Sequence, residues 1–337
     1  MKARFIVLAL SMVASTAFAA VPKATPCLSS QDSKNCLASV AAAALASEKS
    51  SESRTEGYAS LITSLAKADV QRDDIFLAAV DDASAPIQAR WILAVARRTY
   101  ALRFGISNPV IDTPQRIETL ADLLRKRGDG SERLTVAWTA CEAREGESPV
   151  AIAKWEGALD RLCKLDDTDA NDLKNEVSSI LAMAAPMVDA YNRDNKALDH
   201  SIAASLIVLA EYEKMLNRRM PVQEREVIQG LLALGRMINA TALATSGQRT
   251  EAEKAVDVLL EQIRKAPKFS NSPVFQIVMA QVPWIYAKSG LHNRAIGTVR
   301  ESLVRIDDGK KLSNEEKALA IGMVIEALRL LELDPTR

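Results

Sequence analysis

The chain has 337 residues, 48% of them hydrophobic and 26% charged, and its 43 basic residues balance its 43 acidic ones. Such a composition gives an ordinary globular protein with a large core, and a near-neutral surface argues against a nucleic acid or an anionic membrane held by bulk charge. Four Trp, five Tyr and six Phe are too few for a platform that stacks bases.

Residues 1–19 read as a signal peptide rather than as part of the fold. Lys2 and Arg4 form a basic n-region, Phe5–Val13 is apolar, and Ala17-Phe18-Ala19 is an A-x-A cleavage site. The mature protein is expected to begin at Ala20, with 41 basic against 43 acidic residues. The apolar run is too short to span a bilayer, and no later run reaches spanning length, so no membrane insertion is expected. Cys27 follows Ala-Thr-Pro, which is not a lipoprotein context. The short n-region and A-x-A site point to the periplasm of a diderm bacterium.

Residues 20–35 read as an irregular arm. Helical periodicity then runs through the chain at about 36–48, 54–69, 72–81, 85–104, 114–127, 131–144, 148–163, 169–192, 196–218, 222–246, 249–265, 273–289, 291–307 and 313–332. No stretch sustains period-two alternation of β-branched residues, so essentially no sheet is expected. Pro86, Pro149 and Pro221 stand at helix starts, where the missing N–H costs nothing. Pro186 falls inside a helical pattern and should kink or break it. Asp112 or Thr113, and Ser313, are expected caps. An acidic run at 164–172 and the Pro- and Ser-containing stretch at 266–273 are soft boundaries. The acidic run at 164–172 separates N-terminal hairpins at 36–163 from a C-terminal set at 173–332.

Four cysteines in an exported chain predict disulfides. The simplest pairing joins Cys27 to Cys36 and Cys141 to Cys163, although four cysteines allow three connectivities. A metal site is the poorer reading, because CxxC spacing is absent and only His200 and His292 are available. No metal or other cofactor is expected.

The segment 276–306 carries the clearest architectural signal. Ile277, Val278, Val282, Ile285 and Tyr286 fall on one side of a helix, and Gly290 supplies a left-handed turn. Ala295, Ile296, Val299, Leu303 and Ile306 form the expected buried line of the next helix. Tyr286, Gly290 and Ala295 stand at tetratricopeptide (TPR) spacings. Gly146, Ala151, Trp155 and Ala158 share the turn-proximal spacing of Gly290, Ala295, Val299 and Ser302, as do Gly247, Ala252, Val256 and Leu259. The last two-thirds of the chain therefore resembles TPR-like helical repeats. It departs from them where Glu142 and Leu243 replace the usual Tyr, where Pro283 replaces a common Gly, and where the closing Pro is absent. The resemblance implies an all-α, right-handed TPR-like α-solenoid of stacked hairpins with one elongated core. In an ideal TPR hairpin Cys141 and Cys163 would be displaced beyond disulfide reach, which sets the second pairing against the resemblance.

Possible chemistry is sparse. Ser64-Leu-Ala-Lys67 matches S-x-x-K and Lys288-Ser289-Gly290 imitates its companion motif, but the latter ends a helix and the intervening motif is missing. His200 and His292 lack a nucleophile elbow and read as surface or capping residues. Glu142, Glu145 and Glu147 cluster at a turn and could serve as a general acid, as in helical lytic transglycosylases, but a solvated charged turn is commoner. Asn239-Ala240-Thr241 is a sequon that falls on a helix. Trp91, Trp138 and Trp155 read as core. In the TPR register Ile277, Trp284 and Lys288 share an inner face of the kind that binds extended peptides. The expected function is a protein–protein interaction scaffold of the cell envelope, with an envelope protein or peptide as partner and no catalytic residues. The rival is an envelope enzyme or a ligand-binding protein acting on cell-wall glycan or a small molecule.

Overall fold

The computed structural model describes residues 22–106, 114–127, 136–141, 143, 162–163, 178–265, 272–309 and 312–332. The signal sequence, the soft boundaries at 164–172 and 266–271, Asp112, Thr113, Pro149 and the Gly146 copy of the turn lie outside these residues. Among them the protein is all-helical, with no strand.

A 3-10 turn at Thr25–Ser29 precedes α1 (Ser33–Ala46), α2 (Ser51–Lys67), the short α3 (Asp73–Ala78), α4 (Ile87–Phe104) and α5 (Pro114–Arg127). After the central segment come α6 (Ser178–Tyr191), α7 (Asn195–Leu216), α8 (Val222–Thr245), α9 (Arg249–Lys265), α10 (Pro273–Lys288), α11 (His292–Asp308) and α12 (Asn314–Glu332). The starts are set by local chemistry. Asp32, Ser50, Asp194 and Ser272 each accept a hydrogen bond from the backbone N–H three residues on, while Pro86 and Pro221 stand immediately before α4 and α8. Ser313 and Glu316 form a capping box: the Ser313 N–H donates to Glu316 Oε2 at 2.7 Å, and the Glu316 N–H donates to Ser313 Oγ at 3.1 Å. α6 continues through Pro186 and α10 through Pro283, so neither proline breaks its helix.

One turn type recurs. At Gly247 (φ 83°) the Gln248 N–H reaches the Leu243 carbonyl at 2.9 Å, and at Gly290 (φ 78°) the Leu291 N–H reaches the Tyr286 carbonyl at 2.8 Å. The same six-to-one bond closes α4 at Gly105, α2 at Asp69 and α6 at Arg193, each with positive φ. Five helices thus end in one left-handed device, and in two of them the residue is not glycine.

The helices lie in two layers. In the inner one α6 packs on α8, α8 on α10 and α10 on α12; α7, α9 and α11 each cover two neighbours on the outside. A line of stacked hairpins keeps its two ends apart. Here α12 instead packs against both α1 and α2, and α2 packs against α4. Two small residues permit this approach: a Cβ on Gly322 would lie 2.7 Å from Ser64 Oγ, and one on Gly57 would meet Leu45 and lie 3.5 Å from Glu315 Cα. Polar side chains fasten the seam. Lys34 pairs with Glu332, Asn314 Nδ2 donates to Ser47 Oγ at 3.2 Å, and Asp69 is held by both Arg103 and Arg329 at 3.1 Å.

The apolar interior forms two clusters rather than one elongated core. The larger follows α1, α2, α8, α10 and α12; the smaller joins Trp91 and Val95 of α4, Ile117 and Leu124 of α5, Met183 and Val188 of α6, and Leu231 of α8 around Cys141 and Cys163. Both expected disulfides are present, with Cα separations of 5.4 Å for Cys27–Cys36 and 4.8 Å for Cys141–Cys163. The second removes the objection taken from ideal hairpin geometry, since the two backbones approach within bridging distance. One expectation for α11 is corrected. Ile296 is 46% exposed, and Ser302 joins Ala295, Val299, Leu303 and Ile306 on the buried line, its hydroxyl donating to the Met279 carbonyl at 2.8 Å.

Candidate functional site

The middle stretches of three neighbouring helices, α10, α12 and α2, leave few residues accessible. From Val274 to Ala287 of α10 only Gln281 and Trp284 escape burial, and with Lys288 they recur at three- and four-residue spacing along one face. The Lys288 ammonium lies 5.9 Å from the centre of the Trp284 ring, at the outer limit of a cation–π contact. Ile277 stands at the far end of that line but is only 7% exposed, so it belongs to the core, and the face open on α10 reduces to Gln281, Trp284 and Lys288. From Ala318 to Ala327 of α12 the accessible residues are Leu319, Met323 and Glu326, and from Thr55 to Lys67 of α2 they are Glu56, Ser60, Thr63 and Lys67.

The seam between α2 and α12 accounts for the S-x-x-K match. The Ser64 hydroxyl donates to Glu326 Oε1 at 2.7 Å, and Lys67 Nζ stands 3.9 Å from Glu326 Oε2. Serine and lysine therefore converge on one carboxylate. The motif is part of the seam's polar fastening.

At the other end of the same seam, Glu56 of α2 and Glu315 of α12 bring two carboxyls into hydrogen-bond contact. Burial, reinforced by the Glu52 charge, pushes Glu56 up to about 7; burial, reinforced by the Glu56 charge, pushes Glu315 up to about 8. Burial also raises Glu316, against the opposing pull of its hydrogen bonds with Ser313. Sequence reasoning looked for a raised carboxyl at Glu142, Glu145 and Glu147, which lie outside the described residues. It missed Glu56 and Glu315, because nothing local in either helix announces a neighbour so distant in the chain.

A cleft of about 440 Å³ opens between α2, the α3–α4 connection and α4, lined by Arg54, Thr55, Tyr58, Val80, Asp81 and Leu93 among others. Tyr58 and Leu93 are buried at its floor, whereas Val80 is exposed at its rim. Its carboxylates are held as anions. Asp81 accepts from Arg90 at 2.8 and 3.0 Å and also from Arg116, and these hydrogen bonds keep it below the usual carboxylate range. Asp82 accepts from Ser84 and from Arg54, the latter at 3.0 Å, and is likewise lowered, chiefly by Ser84. Burial pushes the Tyr58 phenol up, and the Arg54 charge pulls it down. The cleft can receive a molecule of modest size with a polar end towards Arg54 and an apolar body on Tyr58 and Val80. It offers no raised carboxyl for proton donation, since the Glu56–Glu315 pair is not among its lining residues.

The remaining candidates resolve as follows. His200 is exposed on α7, its Nδ1 2.9 Å from the Lys196 carbonyl oxygen, and His292 opens α11. Trp91 is fully buried and Trp138 packs against both cores, while Trp155 lies outside the described residues. Asn239 and Thr241 of the sequon are buried in α8, out of reach of a modifying enzyme in the folded protein. Among the described residues no group of three or more His, Cys, Asp or Glu is placed to hold a metal ion. α8 is long and apolar enough to cross a membrane, contrary to the expectation that no later segment is, but most of it is buried within the protein. Comparison with protein-family models, with curated proteins and with solved structures finds no match to this chain.

Proposed function

We propose that the protein is an exported, periplasmic helical-repeat protein, with TPR-like hairpins stacked in a right-handed sense and the row brought round so that α12 meets α1 and α2, that serves as a protein–protein interaction scaffold in the cell envelope. The observation that carries this reading is the accessible line on the inner helices. Neighbouring helices α10, α12 and α2 each leave a mixed row partly accessible: Gln281, Trp284 and Lys288; Met323, Glu326 and Leu330; Ser60, Thr63 and Lys67. A surface combining an aromatic ring, cations and hydroxyls suits an extended peptide, which presents backbone polar groups and alternating side chains. The recurrent left-handed turn supports the repeat reading, and two disulfides are compatible with an oxidising compartment. The test is crosslinking of the tagged protein in native envelopes, with mass spectrometry of the captured material. A single enriched protein that disappears when Trp284 and Lys288 are both changed to Ala supports the scaffold and its face. Capture of no protein above an untagged control removes it.

The cleft beside Arg54 favours a second reading, a ligand-binding protein for a small molecule or glycan fragment. Its size falls in the range of ordinary ligand pockets. A melting temperature raised by soluble cell-wall fragments, and unchanged by them after Arg54→Gln with Tyr58→Phe, would support this reading over the scaffold.

A further inference from the structure

α7 carries a surface that neither the inner face nor the cleft uses. It lies on the outside of α6 and α8 and buries only Leu198, Ser205 and Leu209. On its opposite side Ala203, Leu206, Ile207 and Ala210 are all exposed, Leu206 by 54% and Ile207 by 68%. Their spacing of three, one and three residues makes one stripe along the helix, narrow enough for a single partner helix. Elsewhere the exposed large apolar residues are spread over several helices; here two lie side by side between alanines.

The residues that continue the stripe identify the partner. One turn before Ala203 stands Asp199, and one turn after Ala210 stands Lys214; beyond them lie Lys196 and Asn217, all four exposed. Let a second copy of α7 lie antiparallel, with a two-fold axis between Leu206 and Ile207. Leu206 then faces the second copy's Ile207, and Ala203 faces its Ala210. Asp199 faces its Lys214, and Lys196 faces its Asn217. Every exposed member of the stripe meets a complement, and both ends carry an opposite-charge pair. A parallel arrangement would set Asp199 against Asp199 and Lys214 against Lys214. The alanines let the backbones approach closely, while Leu206 and Ile207 fill the centre. Existing contacts do not prevent this. Asp199 has no ion pair among the described residues, and Lys214 has only an exposed intrahelical pair with Glu211 at 2.6 Å, which is weak and exchangeable. The stripe from Lys196 to Asn217 is about 32 Å long, the length of an ordinary two-helix contact.

We infer that the α7 stripe is a self-association surface, on which two copies of this chain pair through antiparallel α7 helices about a two-fold axis. The inference does not depend on the scaffold reading, whose face is on the inner helices. Sedimentation velocity of the full oxidised protein between about 1 and 300 µM is the test, and the expected result is a monomer–dimer equilibrium within this micromolar range. Ile207→Glu should weaken it at least ~100-fold, since two charges would be buried at the axis. Asp199→Lys and Lys214→Asp alone should each weaken it roughly three- to tenfold, and the double variant should restore it. Circular dichroism and the melting temperature at dilute concentration check that each variant folds; the exposed charge exchanges remain informative should Ile207→Glu not fold. A protein that is monomeric throughout the range overturns the inference, and so does a dimer indifferent to Ile207→Glu. Failure of the double charge exchange to restore pairing overturns the antiparallel register.

Discussion

The Glu56–Glu315 contact makes a prediction whose sign follows from proton counting. In the unfolded chain both carboxyls titrate near 4.5, whereas in the folded protein they are held up to about 7 and about 8. Between these limits the folded state keeps protons that the unfolded state has released, so stability falls as pH rises from about 4.5 to about 8. Raising one carboxyl from 4.5 to about 8 corresponds to ~5 kcal/mol if nothing relaxes, at 1.36 kcal/mol for each pH unit. Water entering the seam and side-chain motion reduce this, and ~2 kcal/mol is the working expectation. Glu315→Gln keeps the shape and gives Glu56 an amide donor in place of a competing charge. Urea unfolding of the oxidised protein and this variant should give similar stabilities near pH 4.5, with the variant more stable by ~2 kcal/mol near pH 9. Equal pH slopes for the two proteins, or a variant less stable at pH 9, would show that the pair does not share a proton as described.

Further outcomes are expected elsewhere. Gly297→Ala on α11, where a Cβ meets nothing within 4 Å, should stabilise by ~0.5–1 kcal/mol in thermal melts. Gly235→Ala, whose Cβ would lie 2.7 Å from Leu209 and 2.9 Å from Met183, should cost ~1 kcal/mol or more in the same assay. Asp307 accepts the backbone N–H groups of Ala24 at 2.6 Å and Thr25 at 2.8 Å; Asp307→Ala should therefore free the arm and speed tryptic cleavage after Lys23, and unchanged cleavage would contradict this. Changing Cys27 and Cys36 to Ser should lower stability by ~2–3 kcal/mol in urea, and the wild-type protein should show no titratable thiol before reduction.

Helix positions were legible because their determinants are local. The expected 222–246 becomes Val222–Thr245 between Pro221 and the Gly247 turn, and Ser313 caps α12 as expected. The recurrent turn was only partly legible, because the sequence signal is glycine at each turn. Asp69 and Arg193 adopt the same left-handed conformation with ordinary side chains, so two of the five described turns carry no sequence mark. Burial within a helix was harder still. Ala295 and Ile296 both fit a helical stripe, and only the positions of α10 and α12 decide that Ile296 faces water. The shared face of Trp284 and Lys288 could be read from their spacing. The burial of Ile277 depends on packing that spacing does not encode. The meeting of α12 with α1 and α2 had no local sign, and with it went the Glu56–Glu315 pair.

That meeting also orders events in time. The hydrogen bond from Ser64 to Glu326 spans 262 residues, and both α1 and α2 pack on α12 through their apolar faces. A growing chain presents those faces long before it obtains the helix that covers them. Contacts of such long span form late and slowly, so assembly cannot proceed simply from the first hairpin to the last. The first two helices wait for α12, and a chain lacking it should fail as a whole rather than lose one hairpin.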